Sequence, residues 1–271
     1  MSKKEIAKKE ATQEIQVYTE TKSMGVADEV TSADVQIPSL MLMQANAELV
    51  KDRNNEIKSG DFVHSITQDI WGSIDSPTEL VVVDMYKTEV ITQIEGNVWK
   101  STKPWTPDME ALPYEFELDN KTHKRQKCYN YICFRPLEVR EITLPDDTVH
   151  YVASPIIVKF KGASSKNAKK FNQLLRDYAT FNQPSWCVTF DLKAYEDKNE
   201  HGTFFVYNFE KRANAVKETQ LAAAKLCEMS QAARKAGTME VIDAEEVNVE
   251  KTVGPNPGLK NHAPGAEEDL F

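Results

Sequence analysis

One segment of the chain combines cations with aromatic rings and contains no acid. Five residues from Lys121 to Arg135 are Lys or Arg, and Tyr129, Tyr131 and Phe134 lie among them. If the segment is a strand, alternation places the two tyrosines on one face and Phe134 on the other. An aromatic face beside cations is typical of surfaces that stack the bases of a single strand. An ordinary β-hairpin with solvated lysines and core tyrosines would produce the same pattern.

A second acid-free segment runs from Lys159 to Arg176 and contains six basic residues. Its sequence predicts the end of a strand, a loop with Gly162, and a helix that Ser164 or Ser165 caps. The free backbone N–H groups and the positive dipole end of such a helix are suited to contact a phosphate. A capped helix whose basic face is only solvated is the alternative.

Together the two segments predict a surface for a sugar-phosphate backbone. We expect phosphate contacts from ten cations: Lys121, Lys124, Arg125, Lys127, Arg135, Lys159, Lys161, Lys166, Lys169 and Lys170. We expect bases to stack on Tyr129 and Tyr131, with Trp99 or Trp105 as further candidates. Phe134 is a weaker candidate, because strand alternation puts it on the opposite face.

No enzyme motif accompanies these residues. The sequence lacks H-E-x-x-H, G-x-S-x-G, G-x-G-x-x-G and the P-loop pattern, and its carboxylates are scattered. His123, Cys128 and Cys133 do not complete a four-ligand zinc site with the usual short pairs. The four cysteines form no C-x-x-C pair, so we interpret them as small buried hydrophobic residues in a reducing compartment. We therefore predict no catalytic residue, metal or cofactor.

The net charge of −9 is concentrated at the two ends of the chain. Residues 240–271 carry −6 and residues 1–36 carry −2, which leaves −1 for residues 37–239. An acidic tail tethered to a basic groove competes with nucleic acid and is released when nucleic acid binds. We expect the tip of the tail to bind partner proteins through Glu267, Glu268, Asp269, Leu270 and Phe271. A tail that only keeps the protein soluble is the alternative.

The elements that must position these residues are mostly short strands. Runs of β-branched and aromatic residues between turn residues predict nine of them: 61–66, 79–86, 88–92, 127–134, 139–144, 148–152, 155–160, 186–192 and 203–209. One helix is predicted to interrupt the strands and to end near Phe181, and a second is predicted from Arg212 to about Lys235, with Gly237 as its C-cap. This order predicts a mainly β protein built as an antiparallel barrel or sandwich.

Four regions follow from composition. We expect a disordered arm over residues 1–36, a folded body over 37–210, a C-terminal helix over 211–237 and a disordered acidic tail over 238–271. No apolar run approaches the roughly 18 residues of a membrane span, and the N-terminus has no signal-peptide pattern. We expect a soluble, cytoplasmic protein without a membrane partner, and the pattern leaves a homo-oligomer open.

Four segments of the body and the end of the tail form a further pattern. The segments are Ile37–Gln44, Lys58–Phe62, Thr67–Trp71 and Leu80–Val83, and the tail ends in Glu267–Phe271. With its basic segments and this tail the chain resembles bacteriophage single-stranded-DNA-binding proteins, although the proline common in the related bacterial tails is missing. The four body segments resemble a class of phage-encoded replication and recombination proteins. The resemblance extends over roughly residues 37–210 and implies an OB-fold-like body with one inserted helix.

The resemblance also implies a function. It predicts sequence-independent binding of single-stranded DNA in phage DNA replication or recombination, with the tail recruiting other replication or recombination proteins. Two other functions stay open. One is a phage-encoded protein that inhibits a host nucleic-acid enzyme, its acidic segments imitating DNA. The other, ranked third, is a metal-dependent nuclease whose carboxylates come from distant strands.

Overall fold

Strands alternate with a few helices in the part of the chain that the computed structural model describes, residues 37–93, 99–118, 120–199 and 202–236. The strands are β1 (Ser39–Leu42), β2 (Phe62–His64), β3 (Ile70–Gly72), β4 (Thr78–Gln93), β5 (Trp99–Pro104), β6 (Glu115–Leu118), β7 (Lys121–Phe134), β8 (Arg140–Thr143), β9 (Val149–Val152), β10 (Ile156–Phe160), β11 (Val188–Asn199) and β12 (Gly202–Asn214). The α-helices are α1 (Glu48–Asp52), α2 (Ser165–Thr180) and α3 (Lys217–Ala236). The predicted N-terminal arm, the acidic tail and the Gly237 cap lie outside these residues.

Each of the nine predicted strands overlaps an observed strand, although two of them, 79–86 and 88–92, form the single strand β4. β1, β3, β5 and β6 were not predicted, because they are short or carry little β-branched pattern. The inserted helix was predicted almost to the residue. The predicted start of the last helix at Arg212 is wrong, because β12 continues through Asn214, which pairs with Val188 of β11.

Ten of the described strands form one sheet, with the order β12-β11-β4-β7-β10-β1-β2-β3, β5 beside β4 and β6 beside β7. β8 and β9 form a separate hairpin. β1 pairs with β10 in parallel, so the sheet is mixed, whereas we expected an antiparallel one. The first and last strands of this order, β12 and β3, do not pair with each other, so the described strands do not close into a barrel. The mainly β class is confirmed.

The centre of the sheet is covered on both faces. On one face, α2 packs over Tyr129, Tyr131 and Cys133 of β7 in a core that includes residues of β1, β2, β4 and β10–β12. On the other, α3 packs over Ile132 and Phe134 in a second core. A strand buried on both faces has no polar face, which explains the nearly continuous apolar run at the end of β7.

The sheet curls so that β12, at one end of the strand order, approaches the segment after β1, near the other end. The side-chain amide of Gln44, just after β1, donates to the carbonyl of Phe205 in β12 at 3.0 Å and accepts its N–H at 2.9 Å. Gly60 leaves room for the Phe205 ring, since a Cβ there would lie 3.1 Å from it, and its φ of +90° favours glycine. The Gln44 amide therefore replaces part of the missing backbone pairing between these ends.

A bulge in β4 attaches α3 to the sheet. The register with β7 shifts between Val82 and Asp84, which turns Asp84 toward α3. Its carboxylate accepts a hydrogen bond from the Ser230 hydroxyl at 2.6 Å and forms a salt bridge with Arg234 at 2.9 Å. Arg234 also donates to the carbonyl of Met85 at 3.2 Å. The C-terminal turn of α3 is thereby held beside the middle of β4.

None of the helices in the described part of the chain is long and apolar enough to cross a membrane.

Candidate nucleic-acid interface

The sheet brings the two basic segments next to each other. β10 lies antiparallel to β7, with Lys159 opposite Asn130 and Phe160 opposite Tyr129. The residues that follow β10, including Lys161, therefore lie beside the part of β7 that contains Lys127. The sequence alone left open whether the two basic segments share one face, and the register shows that their strands are neighbours in the sheet.

The structure contradicts the prediction that Tyr131 stacks on bases. Its side chain is 0% exposed and meets the edges of Phe160 and Phe171, with ring centroids 5.1 and 5.3 Å away. Its hydroxyl donates to the side-chain oxygen of Asn172 at 2.8 Å. Burial raises the pKa of this phenol far above its ordinary value, as expected of a group with no access to water. Tyr131 is a core residue.

Tyr129 and Phe134 are buried as well. Strand alternation correctly placed the tyrosines and Phe134 on opposite faces. Because α2 covers one face and α3 the other, the prediction of an exposed aromatic face is wrong. Of the two tryptophan candidates, Trp105 is half-buried, and the side chain of Trp99 lies outside the described part of the structure.

Most of the predicted phosphate-binding cations of β7 already contact carboxylates. Lys124 lies 3.8 Å from Glu115, Lys127 contacts Glu110, and Arg125 contacts Glu89. Farther along the chain, Arg135 lies 3.5 Å from Glu138. The acids come from β4, from β6 and from the β5–β6 connection, which fold against β7 and compensate the acid-free segment. Lys121, at the start of β7, is exposed and has no salt-bridge partner among the described residues.

The same cations lie over aromatic rings that sequence reasoning did not select. The Lys124 ammonium is 6.0 Å from the ring of Tyr114, the Arg125 guanidinium 4.4 Å from Phe116, and the Lys127 ammonium 4.8 Å from Trp105. Tyr114 is 54% exposed, and Phe116 is half-buried. A search for acid-free segments passes over both, because they alternate with Glu115 and Glu117.

The cations of α2 are arranged differently. Lys166, Lys169 and Lys170 are exposed, as is Arg176, and none has a salt-bridge partner within the described ranges. Lys166 and Lys170 lie one turn apart on the same helix face. Lys159 and Lys161 at the end of β10 are half-buried and take part in further contacts. Within the described part of the two basic segments, the cations available to a ligand therefore lie mainly on the exposed face of α2.

Ser164 precedes α2, but its side chain does not cap the helix. Its hydroxyl instead accepts the backbone N–H of Tyr207 at 3.4 Å, while the side chain of Asn167 donates to the carbonyl of Tyr207 at 3.0 Å. These contacts attach the start of α2 to β12.

The described residues contain no group of three or more His, Cys, Asp or Glu side chains placed to hold a metal ion. Cys128, Cys133 and Cys227 are buried free thiols, as predicted, and Cys187 is partly buried. We call the paired ends of β4 (residues 88–93) and β7 (residues 121–128), together with β5 and β6, the sheet extension. The candidate surface carries positive charge on α2 and, on the sheet extension, cations paired with rings and carboxylates. Comparisons with known protein families, with curated proteins and with solved structures found no match.

Proposed function

We propose that the protein binds single-stranded DNA without sequence preference. The observation that carries this proposal is the pairing of β7 with β10, which sets Lys159 opposite Asn130 and so brings the basic end of β10 close to the part of β7 that contains Lys127. A flexible strand can contact phosphate-binding lysines and exposed rings along one path.

The connectivity of the sheet supports an OB-like body. The series β4, β7, β10, α2, β11, β12 has four antiparallel pairings, β4 with β7, β7 with β10, β4 with β11 and β11 with β12. These pairings make β10 and β12 run in the same direction. The ring centroids of Phe160 in β10 and Tyr207 in β12 lie 4.6 Å apart. The OB arrangement is a five-stranded Greek key with a helix between its third and fourth strands. In this protein β1 pairs with β10 at the position where β12 would pair to close an OB barrel.

An OB-like arrangement supports the choice of candidate residues. OB folds bind oligonucleotides on the face of their second and third strands and on the loops after the first and fourth. Here those strands are β7 and β10, and the first loop is the β4–β7 connection with β5 and β6. In this proposal the protein acts in the cytoplasm in phage DNA replication or recombination, and its acidic tail, outside the described residues, recruits partner proteins.

The proposal is tested by fluorescence anisotropy with a labelled poly-dT oligonucleotide and with the matching duplex, at low and physiological salt. We expect saturable binding to the single strand and much weaker binding to the duplex. Affinity should fall with salt with a slope near −0.7 for each neutralised phosphate. Absence of binding at low salt would refute the proposal and favour the inhibitor of a host nucleic-acid enzyme.

The lysines of α2 provide the residue-level test. A Lys166→Gln/Lys170→Gln double variant should bind the oligonucleotide about ten-fold more weakly at 0.15 M salt and lower the salt slope by about 1.4, because two phosphate contacts are lost. Lys217→Gln/Lys225→Gln on α3 is the matched control, since both lysines are exposed and belong to the helix on the other side of the sheet. Equal losses in the two double variants would show that only net charge matters.

A further inference from the structure

Glu110 holds its carboxylate against the basic side of the sheet extension. Lys127 donates to this carboxylate, and that hydrogen bond is the largest cause that lowers the pKa of Glu110, with smaller contributions from Trp105 and Lys87. Glu110 is nevertheless 61% exposed. An anionic group therefore lies among two lysines and an indole ring while most of its own surface is in water.

The two lysines belong to one face of the sheet. Glu89 of β4 lies opposite Lys127 of β7, and Lys87 lies opposite Tyr129, so Lys87 and Lys127 are diagonal neighbours on that face. Lys87 is exposed and has no salt-bridge partner within the described ranges. The backbone N–H of Trp105 donates to the carbonyl of Lys87 at 2.9 Å, which holds the indole beneath the Lys127 ammonium.

We propose that Lys87, Lys127 and Trp105 form a phosphate subsite that Glu110 occupies in the free protein. A phosphate of single-stranded DNA replaces the Glu110 carboxylate on the two lysines, and the adjacent base contacts the exposed part of the Trp105 ring. This inference rests on the proposed function and adds to it a built-in competitor that is part of the β4–β7 connection rather than of the acidic tail.

The neighbouring pair of Arg125 and Glu89 shows why only some carboxylates can be exchanged. Glu89 is 2% exposed, and Arg125 contacts it, donates to the carbonyl of Pro113 at 3.1 Å and stacks on Phe116. Removing Glu89 would leave a half-buried cation without its partner, which is costly. The Lys127 side chain is half-buried too, but the Glu110 carboxylate is solvated whereas that of Glu89 is buried, so Glu110 can be exchanged for a ligand phosphate at lower cost. Arg125 thus has a structural role, and Lys127 remains available to a ligand.

The test compares Glu110→Gln with Glu117→Gln. Both changes remove one negative charge from the β4–β7 connection, but Glu117 accepts a hydrogen bond from the Thr122 hydroxyl and has no cation partner among the described residues. We expect Glu110→Gln to bind a labelled poly-dT oligonucleotide about two- to five-fold more tightly than the wild type, the range given by the strength of an exposed ion pair. Glu117→Gln should change affinity by less than half of that factor.

A third variant separates local competition from general charge. Lys87→Gln should weaken binding by itself and should reduce the gain produced by Glu110→Gln when the two are combined, because both residues act on the same phosphate. Circular dichroism checks that each variant is folded. If the wild type binds but Glu110→Gln matches Glu117→Gln or binds more weakly than the wild type, the competitor is refuted and the proposed function stands. If the wild type does not bind the oligonucleotide, both are refuted.

Discussion

At the scale of single residues, Tyr131 has a structural role that its sequence neighbourhood conceals. Its hydroxyl donates to Asn172, and its ring packs among three other aromatic rings of the core. Tyr131→Ala should lower the free energy of unfolding by about 3–5 kcal/mol, and Tyr131→Phe by about 1–3 kcal/mol, because the oxygen of Asn172 would lose its buried partner. Urea unfolding followed by circular dichroism measures both.

Tyr114→Phe is the control for the Tyr131 variants. The Tyr114 hydroxyl also takes part in a side-chain hydrogen bond, with Gln126 at 3.2 Å, but it lies at the surface. Its removal should change stability by less than about 0.5 kcal/mol. If Tyr131→Phe kept full stability and lost oligonucleotide binding, the interpretation of Tyr131 as a core residue would be wrong. The prediction that Tyr131 contacts the ligand would then hold.

At the scale of elements, the attachment of α3 depends on the bulge in β4. Asp84→Asn removes the salt bridge with Arg234 and weakens the hydrogen bond from Ser230, since an amide oxygen accepts less strongly than a carboxylate. We expect the free energy of unfolding to fall by about 1–3 kcal/mol, the range for hydrogen bonds to charged groups. Hydrogen exchange should show the loss first in the last turns of α3.

Glu228→Gln tests whether any charge on α3 has this effect. Glu228 pairs with Lys225 at 4.0 Å on the exposed side of the helix. Exposed pairs one turn apart stabilise helices by a few tenths of a kcal/mol, so this variant should be nearly neutral. Equal loss of protection in the two variants would contradict a specific role for Asp84.

At the scale of the whole molecule, the body is nearly neutral and the C-terminal tail is acidic. The last described residue is Ala236 of α3, and residues 240–271 carry −6. Deleting Glu267–Phe271 should leave the affinity for single-stranded DNA unchanged or higher, because a tethered competitor loses charge, and should weaken recruitment of partner proteins. Anisotropy measures the first effect, and co-purification with replication proteins measures the second.

A variant that keeps the charge separates the two roles of the tail. Leu270→Ala/Phe271→Ala retains all three acids of the tip, so it should bind DNA like the wild type and still recruit partners poorly. Clearly weaker DNA binding after the deletion would contradict the competitor model. Unchanged recruitment in the alanine variant would show that the apolar tip is not what partners bind.

Local pattern was sufficient for most of the secondary structure. β-branched runs predicted the strands of the sheet, and the spacing of Ala168, Phe171 and Leu175 predicted α2 and the face by which it packs. The pattern failed for β5 and β6, which have weak strand propensity and form because β4 and β7 pair with them. It also failed at Arg212, where pairing with β11 continues a strand into a segment with helical composition.

By itself the sequence determined the mainly β class, the position of the inserted helix and the uneven distribution of charge, because composition and periodicity are properties of neighbouring residues. Only the tertiary structure decided which cations of the two basic segments are available. Strand pairing sets carboxylates distant in sequence against Lys124, Arg125 and Lys127, and burial on both faces removes Tyr129 and Tyr131 from the surface. These outcomes depend on contacts between strands, and the local sequence pattern contains no information about which strands pair.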